Sequence, residues 1–269
     1  MSYDSAFTGA AATSASILLY HALQKLYTAQ RQRAWIITGF ASALMTLCSA
    51  PFVLDLVWSR GDVRALHPRF HFAALTCRAF QGTLLADLIV GCRYYRSSVT
   101  ICWGWIHHIT YILLIQFVIQ RQWAHIFCLA LLMELPTSHL SLSFLHPRFR
   151  HDWLFCASFL VTRIIFHLFL FRAFCSPRGL ATVQGSYLPA LFLAVAFPGH
   201  VVWFIQSVRG AIRRGSQRRA SISQVEKQQP DRTFCLDQTL VSATLASLDD
   251  ASHGQWNHGN RVDVLLNAM

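Results

Sequence analysis

Seven apolar stretches, each long enough to cross a bilayer, decide what this chain can fold into. They cover roughly 7–23, 35–58, 71–91, 99–119, 124–144, 153–173 and 187–208. A hydrocarbon core is about 30 Å thick and a helix rises about 1.5 Å per residue, so about 20 apolar residues suffice to span it. Lipid offers no partner to a backbone N–H or C=O, which leaves helices as the solution for runs of this length. The expected fold is an all-α polytopic membrane protein with about seven transmembrane helices. The first stretch is the least apolar, being rich in Ala, Ser and Thr, and no Lys or Arg precedes Lys25 to make the basic leader of a signal peptide.

Composition agrees. Hydrophobic residues make up 54% of the 269 and charged residues only 13%, about half the charged share of an ordinary soluble domain, so a soluble globular protein is not expected. A net charge of +11 would point to nucleic acid in a soluble chain, but here Lys and Arg stand mainly between the apolar runs. Topology explains them, and no nucleic-acid partner is expected. The eight cysteines form no CxxC pair and fall mostly inside the apolar runs, so neither a disulfide framework nor a metal site is expected.

Charge also orients the chain. One set of loops holds Lys25, Arg31, Arg33, Arg93, Arg96, Arg148, Arg150, Arg209, Arg213, Arg214, Arg218 and Arg219; the other holds only Arg60, Arg64, Arg69, Arg121, Arg172 and Arg178. The positive-inside rule then places the C-terminus in the cytosol and the N-terminus in a lumen. The reading divides the chain into a first span and cytosolic loop (1–34), a helical membrane domain (35–208) and a basic, mostly disordered cytosolic tail (209–269). A short amphipathic turn or two is conceivable over 234–248. Leu-His-Pro-Arg-Phe occurs at 66–70 and again at 145–149, and three spans separate the copies, as in an inverted duplication or by chance.

An ionisable side chain at membrane depth costs several kcal/mol, so each needs a partner or a role. Glu134 and Arg163 stand at the midpoints of the fifth and sixth spans and can neutralise each other. His107 and His108 lie about 12 to 14 Å into the fourth span, near the midplane. Neighbouring helical residues point about 100° apart, so one imidazole can face a central cavity while the other bonds a neighbouring helix, with Tyr111 on the next turn. Asp87 in the third span is near enough in depth to orient one of these rings. Arg78 needs a partner on another helix. Pro136 breaks the fifth helix beside Glu134 and frees carbonyls that lipid cannot satisfy. His125, His139, His167 and His200 are expected in packing or interfacial roles. In the tail, Arg213-Arg214-Gly-Ser216 and Arg218-Arg219-Ala-Ser221 present the pattern that basophilic kinases read, so Ser216 and Ser221 are candidate phosphorylation sites.

The order Asp87, then Trp-Ile-His107-His108, then Leu-Met-Glu134-Leu-Pro-Thr, then Phe-Leu-Val-Thr-Arg163 resembles the TLC domain family (TRAM, LAG1 and CLN8 proteins) over about 72–208. Ceramide synthases follow the double histidine with a longer polar motif ending in two aspartates. Here the corresponding span offers Glu134 alone, which is closer to the small TMEM56-like TLC-domain proteins. The resemblance implies a barrel of six helices formed by spans two to seven, a central acyl-chain tunnel with the histidines near its middle, and residence in the endoplasmic reticulum. It also implies a role in lipid metabolism or homeostasis. No cofactor is implied; acyl-CoA is the expected co-substrate if the protein is an acyltransferase, with His107 or His108 as general base or acyl carrier and Asp87 holding its tautomer. Glu134, Arg163 and Tyr111 would then be polar residues of the tunnel. The alternative is a non-catalytic lipid-binding regulator of membrane composition or lipid traffic. Partners are a lipid or fatty-acyl substrate and the bilayer, with homo-oligomerisation left open. A seven-helix receptor ranks last: no acid precedes Arg93 in Gly-Cys-Arg-Tyr-Tyr, and the seventh span has Phe-Pro-Gly-His in place of Asn-Pro.

Overall fold

The computed structural model describes residues 3–99 and 101–228, and among these it is helical with no β-strand. The α-helices are α1 (Tyr3–Leu23), α2 (Gln30–Arg33), α3 (Ile36–Trp58), α4 (Phe70–Tyr94), α5 (His107–Gln120), α6 (Ala124–Ala130), α7 (Leu135–Leu145), α8 (Asp152–Phe159), α9 (Phe166–Cys175), α10 (Pro177–Thr182) and α11 (Leu188–Gln228). Two of the expected spans are compound. A 3₁₀ turn, Leu131–Glu134, joins α6 to α7, and a π-turn, Leu160–Ile165, joins α8 to α9. A second π-turn, Ile101–Ile106, leads into α5. Five helical runs are long and apolar enough to cross a membrane: Gln30–Trp58, Phe70–Tyr94, Ala124–Leu145, Asp152–Cys175 and Leu188–Ser221. The first stretch forms a helix of 21 residues, yet its Ala, Ser and Thr content keeps it out of that group. The fourth is shorter, over Gly104–Gln120.

The unit over 1–211 has an apolar exterior. Leu47 is 71% exposed and Val195 73%, along with Phe40, Leu54, Leu113, Val161 and Ile205. A monomer in water would bury such a surface; a chain dissolved in lipid presents it. Inside, Met45, Phe52, Cys77, Ile115, Leu129 and Leu170 form the core. Helix α1 lies along α4, where Thr13 Oγ1 donates to the Gly82 carbonyl at 3.1 Å. A Cβ on Gly82 would stand 2.4 Å from the Gly9 carbonyl oxygen, so the small residue is what lets the two backbones meet.

Some buried polar groups find partners across helices, whereas Tyr20 Oη, Arg78 Nε, Trp123 Nε1 and His125 Nδ1 have no hydrogen-bond partner among the described residues. Arg78 Nη1 donates to Gln81 Oε1 at 2.8 Å and to Gln116 Oε1 on α5 at 2.6 Å. Its partner is therefore a pair of amide dipoles on α4 and α5. The two copies of Leu-His-Pro-Arg-Phe adopt different backbones: residues 66–69 are extended up to a left-handed Arg69 (φ 37°), whereas Pro147–Phe149 is a 3₁₀ turn. Asp55 explains the first copy, since its carboxylate accepts from the His67 backbone N–H at 3.1 Å and from the Arg69 guanidinium.

Within the expected tail, residues 209–228 continue α11 as helix. No proline stands between Pro198 and Pro230, and the segment is rich in the helix formers Ala, Arg, Gln, Glu and Lys. Ser216 and Ser221 are exposed, each bonding its own helix backbone. The expected turn over 234–248 lies outside the described residues.

Candidate functional site

Two polar clusters form around the double histidine, and the helix separates them. His107 lines an internal cavity of about 130 Å³ whose wall also includes Tyr111, Glu134, Arg163, His167 and His200. Most of the remaining wall is apolar, including Leu114, Phe127, Leu170 and Phe192. An engineered cavity of about 150 Å³ takes up benzene, so this one holds a short length of hydrocarbon. The His107 and Tyr111 rings are 4.5 Å apart between centroids, as one helical turn predicts. Thr110 faces out of the bundle.

His108 does not line the cavity. Its Nδ1 is 3.7 Å from Asp87 Oδ2, within ion-pair reach but too long for a hydrogen bond, and it has no other partner among the described residues. Asp87 is held more tightly by residues the sequence reading did not single out. Tyr95 donates its hydroxyl to Oδ1 at 2.5 Å, and Thr38 on α3 donates to Oδ2 at 3.5 Å. Tyr95, just beyond α4, has its hydroxyl pKa raised by burial and by the neighbouring Asp87 carboxylate, so it remains a donor. Of the expected catalytic residues, Asp87 and His108 thus stand together and His107 stands apart from them, on the cavity side.

Arg163 organises the cavity's polar end. Its Nε donates to the Met133 carbonyl at 2.7 Å, its Nη2 to Thr137 Oγ1 at 2.7 Å, and the same Nη2 lies 3.5 Å from Glu134 Oε1. Pro136 lacks an N–H and its ring crowds the preceding turn, so the helix passes through 3₁₀ geometry there and the Met133 carbonyl turns to Arg163. The π-turn around Arg163 widens the facing helix at the same level.

In α11, which runs unbroken through Pro198, the Leu193 carbonyl accepts from His167 Nε2 at 2.9 Å. A carbonyl only accepts, so His167 carries its hydrogen on Nε2 and, when neutral, accepts at Nδ1. His200 Nδ1 lies 3.2 Å from that atom and is therefore the donor. His200 then keeps a lone pair on Nε2. The sequence reading gave these two rings packing roles, and packing describes them incompletely. The available signal was spacing: His167 follows Arg163 by one helical turn, and His200 follows Pro198 as Pro136 follows Glu134, by two residues.

No known protein family, no curated protein and no solved structure matches the chain.

Proposed function

We propose that the chain is a TLC-type membrane protein of lipid metabolism, resident in the endoplasmic reticulum with its N-terminus lumenal and its C-terminus cytosolic. It receives a fatty-acyl chain in the His107 cavity and transfers the acyl group from acyl-CoA to the amine or hydroxyl of a lipid. One observation carries this reading: an apolar cavity at membrane depth ends in a cluster of His107, Tyr111, Glu134, Arg163 and His200. Hydrocarbon has a dry wall to lie against, and a reacting carbonyl has acid–base groups beside it.

In this scheme the acceptor oxygen or nitrogen attacks the thioester carbonyl while an imidazole of the cavity takes its proton. His107 is the member of the double histidine on that side. The tetrahedral oxyanion is stabilised by the fixed positive charge of Arg163, and its collapse expels the CoA thiolate, which recovers the proton from the imidazolium. His108 and Asp87 are then positioning residues for the start of α5.

A second reading, a non-catalytic lipid-binding regulator, draws support from the Asp87 geometry, since the carboxylate is committed to Tyr95 and Thr38 and leaves His107 without an acidic orienter. Native mass spectrometry of the purified protein, followed by incubation with acyl-CoA and lipid acceptors, separates the readings. Release of CoA that His107→Ala abolishes supports the transferase. A retained acyl ligand with no turnover selects the regulator, and a protein that holds no acyl group sinks both.

A further inference from the structure

The six arginines on the less basic side of the chain are not alike. Arg69 is paired with Asp55, Arg64 with Asp62 at 2.7 Å, and Arg121 lies over Phe117 and Trp123 at 5.4 and 5.8 Å from the ring centroids. The other three, Arg60, Arg172 and Arg178, have no carboxylate within ion-pair distance among the described residues, and all three line one cleft of about 630 Å³. The cleft's one acidic lining residue is Asp62, and Arg64 already occupies both of its oxygens. Three arginines thus line a cleft whose one carboxylate is hydrogen-bonded to Arg64 and also feels the charge of Arg178.

The fold builds this cleft rigidly. Helix α3 closes with the Gly61 N–H on the Leu56 carbonyl at 2.8 Å, and the Ser59 hydroxyl holds the turn by reaching the Asp62 carbonyl at 3.0 Å. Arg60 and Gly61 both take positive φ, at 55° and 90°. The edge of Phe169 is 3.3 Å from where a Gly61 Cβ would be, and the φ of 90° favours glycine at this turn against α9. Arg172 is in the last turn of α9, and α10, which carries Arg178, packs against the Val63–Ala65 segment. Trp58, 78% exposed two residues before Arg60, marks this end of α3 as headgroup level, where indole rings collect.

We propose that the cleft between the 59–63 turn and the 169–178 segment binds the phosphate of an anionic phospholipid headgroup, with Arg60, Arg172 and Arg178 as its ligands. Guanidinium forks match phosphate oxygens, and positive-inside topology disfavours arginines on this side unless they meet an anion. The site is independent of any acyl transfer in the His107 cavity.

The test uses the full-length protein in detergent, titrated with phosphatidic acid, phosphatidylglycerol or phosphatidylcholine and read by native mass spectrometry. The variants are Arg60→Gln, Arg172→Gln, Arg178→Gln and their combination, with Arg121→Gln as a control of equal charge on the same side. Each single change is expected to weaken binding of the anionic lipids about fivefold, and the combination at least about tenfold, while Arg121→Gln leaves it unchanged. Unaltered affinity in the combined variant, or an equal loss in Arg121→Gln, would overturn the site. If the combined variant does not fold, the three single variants, each expected to melt as the parent does, decide alone. Complete displacement of the lipid by millimolar inorganic phosphate would show a soluble-anion site and overturn the lipid assignment.

Discussion

The Arg163 guanidinium reaches the Met133 carbonyl at 2.7 Å but Glu134 only at 3.5 Å. The residue expected to be half of an ion pair is first a clamp on a carbonyl turned outward beside Pro136, and the carboxylate is its most distant partner. His167 does the same for the Leu193 carbonyl near Pro198. Both side chains come from the 160–175 segment, so this stretch fastens the interrupted 124–145 helix and α11 around one cavity.

That ranking predicts unequal losses. Arg163→Met leaves the Met133 carbonyl, Thr137 and the half-buried Glu134 carboxylate without their donor and is expected to cost about 3 kcal/mol, whereas Glu134→Gln costs about 1 kcal/mol. Thermal melts in detergent of both singles and the double give the coupling. Equal costs for the two singles would contradict the clamp, and strict additivity would mean that Arg163 and Glu134 do not interact.

Helix α1 should depend on a single small residue. Gly82→Ala puts a methyl group 2.4 Å from the Gly9 carbonyl position, which the two backbones relieve only by parting. The expected outcome is a loss of about 2 kcal/mol together with faster thiol labelling of an Ala12→Cys reporter. Unchanged labelling would mean that α1 does not rest on α4 there.

Asp62 carries the clearest pH signature outside the spans. Hydrogen bonds from the Arg64 side chain and backbone hold its carboxyl at about 2, against an ordinary value of 3.8. A depressed folded-state pKa stabilises the folded form above the unfolded value, and the benefit disappears as pH falls from about 3.8 through about 2. Carbon-13 NMR of labelled aspartate should show this carboxyl titrating near 2, and Arg64→Gln should return it toward its ordinary value.

The helical continuation of α11 bears on the two tail serines. Both are exposed and stand among Arg213, Arg214, Arg218 and Arg219, which should hold anionic vesicles at about 1 kcal/mol per basic residue. Phosphate on Ser216 and Ser221 in a peptide covering 209–226 is expected to weaken vesicle binding in a flotation assay. Identical binding of the two forms would leave the arginines to topology alone.

Five of the expected spans, and the approach of Glu134 to Arg163, were legible because the signals are local. Apolar run length marks the long apolar helices, and counting residues from their ends set Glu134 and Arg163 at the midpoints of neighbouring runs before any packing was known. The break at Pro136 was legible for the same reason: the missing N–H belongs to the residue itself.

What surrounds each ring was decided by the tertiary structure. One residue turns a helical side chain by about 100°, so sequence could state that His107 and His108 diverge but not which of them enters the cavity. A π-turn inserts extra backbone and shifts that angle again; Ile101–Ile106 stands directly before the pair and Leu160–Ile165 surrounds Arg163. Asp87 went to Tyr95 and Thr38, and His167 to His200, because α3, α9 and α11 approach there. Such approaches depend on residues of several helices at once, and no single segment records them.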